Sequence, residues 1–136
     1  MNGMRPIALV LCVLVMAVMG CRGGGPIYNV KDAPATTASG RTPSLEQMQK
    51  AIVTAGVGLG WQMSVAKPGA IIATLNLRSH QAVVSITFTT KHYSIHYKDS
   101  KNLKYDAATQ TIHENYASWI QRLDGAIRTR LTAADM

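Results

Sequence analysis

Cysteine is nearly absent: among 136 residues only Cys12 and Cys21 carry a thiol. Both stand near the start, so no disulfide framework can staple the rest of the chain. Acidic residues are also few, 7 Asp and Glu against 14 Lys and Arg, which leaves a net charge of +7. So few carboxylates offer little material for paired acid–base chemistry. The basic excess is spread along the sequence without a basic run, so it favours anionic surroundings without marking a patch. No uncharged apolar run reaches the ~20 residues needed to span a bilayer. The glycines match neither a phosphate-binding loop nor a dinucleotide fingerprint. The length suits one modest domain and argues against a two-domain enzyme with a cleft between its halves.

What is present begins with a leader. Arg5 supplies a positive start, and Ile7 to Met19 form an uncharged apolar run of about 13 residues, the length of an export-signal core. Gly20 then places a small residue before Cys21, and Arg22-Gly23-Gly24-Gly25-Pro26 ends the run. The stretch Val18-Met19-Gly20-Cys21 resembles the lipobox of bacterial lipoproteins, roughly Leu-Ala/Ser-Gly/Ala-Cys, with Met19 larger than the usual residue. That resemblance implies that residues 1–20 are a signal peptide and that the Cys21 thiol takes a diacylglyceryl group. Cleavage before Cys21 and acylation of its new amine would follow. Several acyl chains, each contributing ~0.8 kcal/mol per buried CH2, make such an anchor stable where one chain holds only weakly. In Gram-negative lipoproteins Asp after the cysteine tends to retain the protein at the inner membrane. Arg22 therefore implies the periplasmic face of the outer membrane in such a host.

Residues 22–43 hold three consecutive glycines and three prolines beside the polar stretch Thr36 to Thr42, so residues 21–42 read as the lipidated cysteine and a flexible tether. Within it, Ile27-Tyr28-Asn29-Val30 has strand character and is a candidate edge strand. The folded domain is expected over 43–136. Ser44 with Gln47 matches a helix capping box, and Leu45, Met48, Ala51, Ile52 and Ala55 follow at helical spacing until Gly56, Gly58 and Gly60. Four alternating segments come next: Trp61–Lys67, Ile71–Arg78, Ala82–Thr90 and Tyr93–Lys98. Their short connections predict an antiparallel meander with one wet face, closed by Asp99-Ser100-Lys101-Asn102. Thr111 with Glu114 matches a second capping box, and Ile112, Tyr116, Ile120, Leu123, Ile127 and Leu131 form one stripe on a long helix.

The expected fold is therefore α+β, a two-layer sandwich of a four-stranded antiparallel meander with two helices on one face, in the order α-β-β-β-β-α. That order is similar to helix-grip and TBP-like small domains, a similarity that carries no function with it. The run Tyr97-Lys98-Asp99-Ser100-Lys101-Asn102-Leu103-Lys104-Tyr105, followed by Ile112-His113, also resembles small bacterial lipoproteins whose hairpin-rich sheet ends in this pattern.

Chemistry is hard to find. His92 and His96 share a strand face but stand ~13 Å apart, too far to chelate one ion, so no metal is expected. His80 sits in a turn from which it could approach either. Ser100 beside Asp99 lacks the tight exposed turn of a serine nucleophile and reads as strand closure. The polar sheet face has no aromatic platform for stacking bases, and export removes the chain from nucleic acid. Trp61, Trp119, Tyr93, Tyr97 and Tyr116 read as core or rim packing. The expectation is a membrane-anchored envelope lipoprotein with no enzyme activity and no cofactor. It would bind an envelope protein or cell-wall component through its polar sheet face, at Arg78, Thr87, His96 and Lys98, or through a sheet edge. The alternative is a carrier or sensor of a small amphipathic ligand held between helices and sheet.

Overall fold

The computed structural model describes residues 24–133, with Gly3 alone before them. Cys21, its lipobox and the signal segment lie outside the described residues. The elements run β1 (Gly24–Pro26), β2 (Val30–Pro34), α1 (Leu45–Gly58), β3 (Gln62–Lys67), β4 (Ala70–Leu77), β5 (His80–Phe88), β6 (His92–Lys101), β7 (Thr111–His113) and α2 (Asn115–Ala133). Five strands form one antiparallel sheet in the order β2-β6-β5-β4-β3, and β1 pairs with β7 in a separate ribbon.

The period of two decides which face is covered. Ile71, Ala73 and Leu75 of β4, Ala82, Val84, Ile86 and Phe88 of β5, and Tyr93 and Ile95 of β6 are all buried. One row across the sheet, Val65-Ile71-Ile86-Ile95-Val30, consists wholly of β-branched residues in register, the residues that pack best on a pleated surface. Against this face lie Met48, Ala51, Ile52 and Ala55 of α1 and Tyr116, Trp119, Ile120, Leu123, Ile127 and Leu131 of α2, in one cluster with the sheet. Each fully buried Leu or Ile contributes roughly 1.5–3 kcal/mol.

Local chemistry fixes the first helix. Ser44 Oγ accepts from the Gln47 N–H at 3.1 Å, and Gln47 Oε1 accepts from the Ser44 N–H at 2.8 Å. Gly56 allows the helix to approach β3, since a Cβ there would stand 2.3 Å from Met63 Sδ. Gly60, at φ +88°, then turns the chain into Trp61.

The expected fold class holds, while several details change. The sheet has five strands, because β2 joins the free edge of β6 and precedes α1. Residues 24–34, expected within the tether, are thus built into the fold. Val30 pairs with Ile95 and Ala33 with Tyr93, both buried, and a bulge between them lets Asp32 take φ 48°. The expected second capping box is not made: Thr111 and Ile112 belong to β7, where Ile112 pairs with Gly25, and α2 starts only at Asn115. Backbone pairing has taken that stretch in place of the helix. The closing tetrapeptide also extends β6, which runs to Lys101 past a bulge at Lys98.

Candidate functional site

The sheet face away from the helices carries no covering layer among the described residues. Its rows follow from the register. One row reads Ser64, Ile72, Ser85, His96, and the next Gln62, Thr74, Val83, Asp99. A third holds Lys67, Ala70, Thr87 and Ser94. Neighbouring strands stand about 4.8 Å apart, so these are contiguous, mostly polar side chains, five of the twelve hydroxylic, with Ile72 and Val83 half-buried at the centre and Ser94 buried toward β2. Such a face can offer short hydroxyl donors and acceptors around two apolar side chains.

Of the four residues expected to line this face, the structure brings together two. Thr87 is exposed, and His96 is partly exposed one row away. Arg78 does not continue β4. It forms the tip of the β4–β5 hairpin at φ 56°, because Leu77 already pairs with His80. Lys98 is the extra residue of the β6 bulge, between the pairs Val84–Tyr97 and Val83–Asp99, and has no cross-strand partner. The edges differ. The β2 edge is blunted by Pro34 and the Asp32 bulge, with Ser94 Oγ accepting from the Asp32 N–H at 2.9 Å. The β3 edge pairs only with β4 and is interrupted once, before Lys67.

The other histidines fall elsewhere. His80 is near neither His92 nor His96; its ring lies 6.1 Å from that of His113 and 6.4 Å from that of Trp119. Its Nδ1 lies 2.7 Å from the Asn102 carbonyl, and His113 Nδ1 accepts from the Asn115 N–H. No group of three metal-ligating side chains occurs among the described residues. Asp99 Oδ1 accepts from the Ser100 N–H and Ser100 Oγ meets the Tyr97 hydroxyl at 2.8 Å, so neither residue contacts a histidine there. The rings of Tyr97 and Tyr105 stack at 4.4 Å, and Leu103 is buried between them in sequence. The Tyr97–Tyr105 pattern is therefore a structural clasp that ends β6.

A buried polar network escaped the sequence reading. The Tyr93 hydroxyl donates to Asp124 Oδ1 at 2.5 Å, and Arg128 holds Asp124 Oδ2 at 2.8 Å. Burial first, then the hydrogen bond to Asp124, pushes the Tyr93 phenol well above its ordinary range, while Arg128 pulls the other way. Tyr116 is also pushed up by burial, and its hydroxyl has no hydrogen-bond partner. Asp124 stands four residues after Ile120 and three before Ile127, on the apolar stripe, which was the available signal.

Between helices and sheet, Ile52, Ile71, Ile86, Ile95, Ile120, Leu123 and Ile127 show no accessible surface, so no water-sized void touches them. An apolar groove of about 270 Å³ lies instead at one end of the domain, lined by Pro26, Ile27, Tyr28, Ile112, His113 and Ala117 among others. No helix among the described residues is long and apolar enough to cross a membrane. Comparison with protein-family models, curated proteins and solved structures finds no match to this chain.

Proposed function

We propose that this chain is a lipid-anchored envelope protein, held by acyl groups on Cys21, that acts by binding rather than by catalysis. The uncovered sheet face carries the reading. Both helices pack on the opposite side, which leaves contiguous rows of mostly polar residues around Ile72 and Val83. That face, with Thr87 and His96 at its middle, is where an envelope protein or cell-wall component docks. The filled space between helices and sheet favours this over carriage of an amphipathic ligand.

Crosslinking in the native envelope tests the reading. A photo-reactive residue at Thr87 or His96 should capture a partner that the same residue at helix position Thr129 does not. Equal capture from both positions, or none from the face, would remove the sheet face from consideration.

A further inference from the structure

The described chain enters the domain at Gly24, at the end of the sandwich where β4, β6 and α1 finish and β3, β5 and α2 begin. Five large apolar side chains are exposed among the described residues, and four of them stand at this end. Val57 (58% exposed) and Leu59 (41%) close α1, Leu77 (45%) stands beside the β4–β5 tip, and Tyr105 (39%) follows β6. Val65, near the opposite end, is the fifth. Exposed apolar residues scattered singly need no explanation, whereas four of five gathered at one end call for one.

The occupant follows from where the chain leads. Only residues 22 and 23 separate Cys21 from Gly24, and three residue steps span at most about 11 Å. We propose that this end of the sandwich docks on the bilayer surface, with Leu59, Leu77 and Tyr105 entering the headgroup region and the sheet standing upright on the membrane. The proposal rests on the lipid-anchor reading above. Arg78, Lys98, Lys101 and Lys104 at this end outnumber Asp99, Asp106 and Glu114, and Arg22 stands beside the anchor in sequence. Attraction to anionic headgroups therefore adds to apolar contact and the short connection, and salt should weaken only that electrostatic part. A 22-residue tether would have left the domain free to turn; incorporation of residues 24–34 into strands removes that freedom.

The mature chain has no thiol besides Cys21, so single labels are easily placed. Leu77→Cys and Val65→Cys, each carrying a nitroxide, are made in the full lipoprotein and reconstituted in phosphatidylethanolamine–phosphatidylglycerol vesicles. The ratio of oxygen to water-soluble nickel accessibility should be several-fold higher at position 77 than at 65, and should stay higher at 77 in added salt. Equal ratios in protein that floats with the vesicles would overturn the docking pose and leave the anchor intact. Protein that lacks acyl mass and does not float would overturn the anchor, and the pose with it. Leu59→Cys repeats the measurement if the substitution at 77 disturbs the hairpin.

Discussion

Tyr93 on β6 and Asp124 on α2 share a buried hydrogen bond of 2.5 Å, the polar tie between the sheet and its longer helix. Asp124 is 6% exposed and is held from its other oxygen by Arg128, itself largely in solvent. A carboxylate in this position is tolerated because both oxygens have partners. Asp124→Ala strands the Tyr93 hydroxyl and should cost about 1–3 kcal/mol in urea unfolding. Arg128→Ala, which removes an exposed partner, should cost less than about 1 kcal/mol. A reversed order of the two would mean that the tie lies with Arg128.

The Tyr116 hydroxyl is buried without a partner. Tyr116→Phe should therefore keep or raise stability, by up to about 1–3 kcal/mol. Alkaline titration follows from the same burial. Tyr93 and Tyr116 are both raised in the fold above the ordinary 10.0. Above about pH 10 the unfolded chain gives up protons that the folded chain keeps, so stability is full below that value and falls as pH rises. Tyrosinate absorbance should show two phenols that ionise only together with loss of helical circular dichroism. Ionisation of all five tyrosines before unfolding would contradict the buried placement.

Strand parity was legible because burial on one face imposes a period of two, and Ile71, Ala73, Val84, Ile86 and Ile95 point where their alternation put them. The first helix was legible from the Ser44–Gln47 capping box and the helical spacing of Leu45, Met48, Ala51, Ile52 and Ala55. The edge strand expected at Ile27–Val30 runs instead over Val30–Pro34, displaced because its apolar partners, Val30 and Ala33, are split by a bulge and followed by Pro34. Thr111 to Glu114 has the local chemistry of a helix start, yet β1 captures it from 87 residues away, a long-range pairing that no local window contains. Thr87 and His96 lie on the uncovered face, where their strand parity put them. Arg78 and Lys98 fell out because a turn and a bulge end the alternation one residue early.

Residues 24–34 should matter for stability. A chain starting at residue 43 loses Val30 and Ala33 from the core and uncovers the edge of β6 beside Tyr93 and Ile95. It should lose at least about 2 kcal/mol relative to a chain starting at residue 24. Matching denaturant midpoints for the two would show that β2 is dispensable.

The double variant Thr87→Ala/His96→Ala separates binding from folding. Both positions lie on the uncovered face, and exposed substitutions usually stay within ~0.5 kcal/mol each. The melting temperature should hardly move while envelope crosslinks disappear. A cooperative loss of the fold would mean that this face is covered by something the domain needs.

The anchor on Cys21 is the claim on which the proposed function and the docking pose depend, and metabolic labelling with a fatty-acid probe addresses it directly. The wild-type protein should carry the label in the membrane fraction at a mass consistent with cleavage before Cys21. Cys21→Ser should be unlabelled and retain residues 1–20. An unlabelled wild type, or a labelled Cys21→Ser, would contradict the account.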